Sequence, residues 1–168
     1  MLREHNSDVV EILRFPAYRY VIASDIWTLD NGLSEPTVQT AREYLNNAVM
    51  RIENKSEEFL HRHQGTWLTI RNCTRGALVL LGAKLKCQEF EAELTALRQP
   101  DYDYIRGTLN YLKYILPNKW RDATLRTLGM LDAWEDESAD VGRLKVILQR
   151  LLAACTPEHD DLGLGPLR

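Results

Sequence analysis

The stretch WLTIRNCTRGALVLLGAKL, which opens at Trp67, carries apolar side chains at Trp67, Ile70, Cys73, Ala77, Leu78, Leu80, Leu81 and Leu85. Wound at 3.6 residues per turn, these positions cover more than half of a helix's circumference. A helix of that kind cannot rest on a surface with one side in water, so several other elements must enclose it. The rest of the chain offers neighbours of the same period. Ala41, Tyr44, Leu45, Ala48, Val49 and Ile52 recur at steps of three and four, as do Ile105, Leu109, Leu112 and Ile115. Trp120, Ala123, Leu125, Leu128, Leu131 and Trp134 make a further stripe, and Val141, Leu144, Ile147, Leu148, Leu151 and Leu152 the last. No segment shows the two-residue alternation of a half-buried strand. The reading is an all-α fold, an irregular bundle of six to seven helices forming one domain over residues 1–155. Residues 156–168, with two prolines and two glycines and little periodicity, read as a mobile tail.

Punctuation residues set the boundaries. Ser7 and Asp8 can cap a short helix through Leu13, Pro16 interrupts it or starts the next, and residues 17–27 read as helical. Asn31-Gly32 is a turn, Ser34 an N-cap, and Pro36 falls in the first helical positions that tolerate proline. Gly65 marks the next boundary, with Thr66 as the cap of the central helix. Gly76 and Gly82 inside that helix cost about 1 kcal/mol each relative to alanine, which points to close approach by another helix or by a ligand. The apolar pattern continues through Cys87, Phe90, Leu94 and Leu97. Pro100 and Asp101 open another helix, Pro117 and Asn118 end it, and Ser138 begins the last. A fixed repeat of 20 to 50 residues, the mark of a solenoid, is absent.

Charge and cysteine usage narrow the partners. The 168 residues hold 21 basic and 24 acidic side chains, mixed along the chain, for a net charge of −3. No single-sign patch is visible, so direct DNA binding is not expected. No run approaches the ~20 apolar residues of a membrane span, and MLREHNSDVV is charged where a signal peptide would be apolar. The expectation is an intracellular protein, cytoplasmic or nuclear, away from the membrane. Cys73, Cys87 and Cys155 are widely spaced without a C-x-x-C pair and read as reduced, buried thiols.

The familiar catalytic signatures are missing: there is no G-x-S-x-G, no G-x-x-x-x-G-K-[ST] and no H-E-x-x-H. His61 and His63 are two apart, so on a helix their rings point about 200° from each other and do not share one metal. Neither a metal nor another cofactor is expected. His63, Trp67 and Arg71 follow at steps of four, which on one helix aligns a titratable ring, an indole wall and a guanidinium fork for an anionic oxygen. Gly65 can break that helix, and the plainer alternative has Trp67 in the core and Arg71 paired with an acid on a neighbouring helix. Tyr104 and Tyr111, seven apart, share a face in an aromatic-rich stretch that ends at Trp120. The candidate ligand-binding set is therefore His63, Trp67, Arg71, Tyr104, Tyr111 and Trp120, with no catalytic residue assigned.

The stretch FLHRHQGTWLTIRNCTRGALVLLGA, residues 59–83, resembles the C-terminal part of the regulatory region of fungal zinc-cluster transcription factors, where a histidine pair, a G-T-W and an arginine-bearing apolar helix occur together. FPAYRYVIASDIW upstream and ATLRTLGMLDAWEDESADVGRLKVILQRLL downstream are similar to that region more loosely, so the likeness spans most of residues 9–154. It implies a helical bundle that restrains or relays activity and in some cases senses small molecules. Those regulators read DNA through six cysteines holding two zinc ions, a module this sequence lacks.

Two functions are in view. One is a non-catalytic regulatory-type domain that takes a hydrophobic small molecule or a protein partner in an inter-helix pocket, with a homodimer among its possible assemblies. The alternative is a cofactor-free enzyme of a biosynthetic pathway, a cyclase or isomerase, in which an apolar pocket folds the substrate and a few donors polarise it. In either case the pocket is expected between the central helix near Trp67 and Arg71 and the segment from Tyr104 to Trp120.

Overall fold

A computed structural model describes residues 14–23, 34–55, 65–96 and 103–156. All of its regular structure is helical, and among the described residues there is no strand. Residues 14–23 form α1. Then follow α2 (Glu35–Lys55), α3 (Thr66–Ala96), α4 (Asp103–Ile115) and α5 (Trp120–Trp134), a single 3-10 turn (Glu135–Glu137), and α6 (Ala139–Cys155). The readings for residues 1–13, 24–33, 56–64 and 97–102, and for the tail beyond Thr156, lie outside the described residues.

Helix α3 runs for 31 residues, about 46 Å at 1.5 Å per residue. It packs against α2, α4, α5 and α6 and receives α1 through Tyr18, whose hydroxyl donates to the Val79 carbonyl at 2.9 Å. Much of the enclosure demanded by its apolar circumference is thus met, while Trp67 and Leu68 near its start remain exposed. Ile70, Leu80, Leu81 and Phe90 of α3, Leu45 and Ile52 of α2, Leu112 of α4, Leu131 of α5 and Leu148 of α6 are all buried in one cluster. Each such side chain contributes about 2 kcal/mol by leaving water. Both α3 glycines are explained by close helix approach. A Cβ at Gly76 would stand 3.3 Å from Ile52 Cδ1 of α2, and one at Gly82 would stand 3.3 Å from the Tyr18 hydroxyl.

The helix ends follow local chemistry. The Ser34 carbonyl accepts from the Thr37 and Val38 amides, which starts α2 where the sequence places it. At α3 the cap is Gly65, whose carbonyl accepts from the Thr69 amide at 3.0 Å; Thr66 is the first helical residue and is buried. Pro117 accepts from the Trp120 amide in the turn that separates α4 from α5. Ser138 Oγ accepts from the Asp140 amide at 3.2 Å and caps α6.

Two stripes differ from their sequence reading. In α5 the inward positions are Ala123, Thr124, Thr127, Met130, Leu131 and Trp134, while Leu125 is 47 % exposed. Threonines reach the core because their hydroxyls donate one turn back, Thr124 to the Trp120 carbonyl and Thr127 to the Ala123 carbonyl, which leaves no unpaired donor behind. In α6, Ile147 and Val146 face outward with Arg143 and Arg150, and Val141, Leu148 and Cys155 face inward. Cross-helix ion pairs at Arg14–Glu43, Lys113–Glu91 and Lys119–Glu53 lie on the surface, where each is worth about 0–1 kcal/mol.

Candidate functional site

Where α4 ends and α5 has not yet begun, residues 116–118 and α3 border a cleft of about 270 Å³. On the α3 side it is lined by Lys84, Cys87 and Glu91, positions three and four apart that share one helix face. On the other side stand Lys113 of α4, the turn residues Leu116, Pro117 and Asn118, and Trp120. The volume is near the lower end of small-molecule sites, roughly 300–1,000 Å³. Half-buried Trp120 with Leu116 and Pro117 gives it an apolar wall.

Its electrostatics are uneven. Lys113 is matched by Glu91 at 2.6 Å. Lys86, Lys119 and Lys145 elsewhere on the molecule also meet carboxylates. Lys84 is half-buried and has no carboxylate partner among the described residues, so the cleft lining carries one uncompensated positive charge. Burial pushes the Cys87 thiol up to about 11, against the opposing pull of Lys84 and Lys113 and with a further push from Glu91. The thiol is therefore neutral at physiological pH and a poor nucleophile. Burial also raises Cys155, again with Lys84 opposing it, and the Cys155 thiol lies 3.8 Å from the Leu81 carbonyl. Cys73, Cys87 and Cys155 are all free and buried.

Two buried polar atoms on residues adjacent in sequence to the lining have no hydrogen-bond partner, Gln88 Oε1 and Arg121 Nε. Gln88 sits one turn beyond Lys84, and its amide nitrogen donates to the Cys155 carbonyl at 3.1 Å, tying the end of α6 to α3. Arg121 directly follows Trp120. An apolar wall and one ammonium without a carboxylate partner form a surface suited to binding and orienting a molecule.

The structure divides the candidate residues. Trp67 is 43 % exposed and meets Trp134 of α5 edge-on, with ring centroids 5.8 Å apart. Arg71 is exposed one turn later, with no ion pair among the described residues, so the pairing with a neighbouring helix does not form there. Trp120 lies at the other end of α5 and lines the cleft. Thirteen residues of α3 between Arg71 and Lys84 span about 20 Å, so Trp67 and Arg71 do not share a cavity with Trp120. His63 precedes α3 and, with His61, lies outside the described residues. Tyr104 and Tyr111 belong to α4, but their side chains fall outside the described part. A narrow crevice between α2 and α3, lined by Asn47, Arg51, Asn72 and Arg75, offers about 10 Å³, room for one water.

No family model matches this chain, and no curated protein or solved structure matches it.

Trp120 is the one lining residue that the sequence reading named as a candidate; Lys84 and the other lining residues were missed. A signal for Lys84 was present: Leu80, Leu81, Cys87 and Gln88 occupy the positions three and four away, so no helix neighbour can neutralise it, whereas Lys86 has Glu89 three residues on. Among the described residues, no three His, Cys, Asp or Glu side chains gather as a metal-binding set, and no helix is long and apolar enough to cross a membrane.

Proposed function

We propose that the chain is a ligand-binding helical domain, similar to the regulatory region of fungal zinc-cluster transcription factors, and that it takes a hydrophobic small molecule in the cleft between α3 and the α4–α5 turn. The cleft itself carries this reading, since it combines usable volume with an indole wall at a helix junction. The sequence likeness at residues 59–83 supplies the regulatory context, and a cyclase- or isomerase-type enzyme in the same cleft would draw its proton donor or acceptor from Lys84, Lys113 or Glu91. Cys87 would not serve as its base or nucleophile, because its thiol stays protonated.

The test is titration of the full chain with N-phenyl-1-naphthylamine, a neutral, planar, apolar fluorophore. Saturable one-to-one binding is expected, weakened about tenfold by Trp120→Leu through loss of aromatic contact and unchanged by Trp67→Leu. Binding that ignores Trp120 and responds to Trp67 would place the site at the wrong end of α3 and end this reading.

A further inference from the structure

We propose that the cleft selects an anionic ligand, a flat apolar body lying on Trp120 with a single carboxylate-type group held by the Lys84 ammonium. This rests on the cleft being the binding site and names the class of molecule that fits it.

The lining has two cations and one anion, Lys84, Lys113 and Glu91, and Glu91 is committed to Lys113 at 2.6 Å. Lys84 is left with no carboxylate among the described residues, although it is half-buried. Taking an ammonium partly out of water without a partner is unfavourable, and an opposite charge delivered by a ligand offsets that cost. Geometry adds a second point. Lys84 is one turn before Cys87 on the face of α3 that borders the cleft, and Trp120 stands across from that face in the same lining. A molecule with its ring system on the indole can therefore reach the ammonium with a charged substituent, and charge-assisted hydrogen bonds of about 2.7–2.9 Å are among the stronger contacts available. The lining of the cleft thus favours an anion over a cation.

Lys84 also lies near Cys155 at the C-terminal end of α6, where a positive charge complements the helix dipole. That role would affect melting and would not separate charged from neutral ligands. The experiment uses this distinction. The full chain and its Lys84→Met and Lys84→Arg variants are titrated with 1-anilinonaphthalene-8-sulfonate and with N-phenyl-1-naphthylamine, which share an aromatic body and differ by the sulfonate. The expected result is tighter binding of the sulfonate by the unaltered chain, an about tenfold loss for that probe alone in Lys84→Met, and retention in Lys84→Arg. Raising the salt concentration on the unaltered chain should weaken the sulfonate and spare the neutral probe, a measurement that stands even if Lys84→Met does not fold. If both probes bind equally well and neither salt nor Lys84→Met separates them, the anion preference is wrong while the cleft remains a binding site. If neither probe binds the unaltered chain, the binding-site reading fails and the anion preference falls with it.

Discussion

The two ends of α3 present a tryptophan of α5 in opposite settings. At the N-terminal end Trp134 is 7 % exposed and closes edge-on against Trp67. At the far end Trp120 has no aromatic ring facing it among the described residues, and the 116–119 turn keeps α4 from closing over it, so a cleft remains. Both ends combine indole and cation, Trp67 with Arg71 and Trp120 with Lys84, but a binding surface needs space as well as residue type. That space is created by where a helix stops.

The contrast is sharpest in stability. Trp134→Ala should lower the unfolding free energy in urea by about 3 kcal/mol, the cost of an emptied aromatic site in a core. Trp67→Ala should cost about 1 kcal/mol, since much of that ring is in water, and a double-mutant cycle should return a coupling of about 1 kcal/mol for the edge-on pair. A vanishing coupling would mean that the rings do not act together and that the N-terminal end is no more closed than the other.

Alkaline pH probes the cleft end. The Cys87 thiol has its folded value raised from 9.0 to about 11. Its contribution to stability is complete below pH 9 and is lost as pH climbs from 9 towards 11, because the unfolded chain releases the proton first. The loss should be on the order of 2 kcal/mol, and Cys87→Ala should flatten that part of the stability-versus-pH curve. An unchanged curve in the variant would remove Cys87 as the cause. Buried Tyr18, whose hydroxyl is likewise pushed up by burial and by neighbouring Tyr44, sets a further alkaline loss at higher pH. In the native protein at pH 8, an aromatic disulfide reagent should label Cys73 and Cys155 only after denaturant is added; prompt labelling of either would contradict their burial.

Smaller effects are expected where the cap and the outer face are changed. Ser138→Ala should cost about 1 kcal/mol by leaving the first turn of α6 without its side-chain acceptor. Ile147→Lys should stay within about 0.5 kcal/mol, because that residue is 47 % exposed and surface replacements away from special contacts are mild. A loss of several kcal/mol at Ile147 would restore it to the core and reverse the orientation given to α6.

Most of the fold is legible before any coordinates. Period reveals the helices, and Ser34, Gly65, Pro117 and Ser138 mark their ends because each fixes or frees particular backbone groups. Orientation within a helix is less legible where residue type and burial part company. Leu125 and Ile147 read as core by hydrophobicity, while Thr124 and Thr127, which belong to no apolar stripe, are buried. The threonines go inside because each hydroxyl finds a carbonyl within its own helix, a satisfaction that a count of apolar residues does not register. Of the candidate site, Trp120 was legible as part of an aromatic cluster. The separation of Trp67 and Arg71 from it was not, because two residues of a 31-residue helix can share a face and still stand several turns apart. Lys84 was legible only through what surrounds it, a cation with no acid within helical reach.

The bridge at Lys145 has a consequence for how the chain reaches this structure. Its ammonium meets Asp132 and Glu135, partners only 13 and 10 residues away. Tyr18 and Val79, by contrast, are 61 residues apart, and Gln88 and Cys155 are 67. Closing a short loop loses less chain entropy than closing a long one, and local contacts form faster. The α5–α6 hairpin is therefore the segment best placed to associate first, offering Leu131 and Leu148 as a ready apolar surface onto which α3 can dock. Replacements in that hairpin should slow refolding, whereas replacements at the Tyr18–Val79 contact should chiefly hasten unfolding.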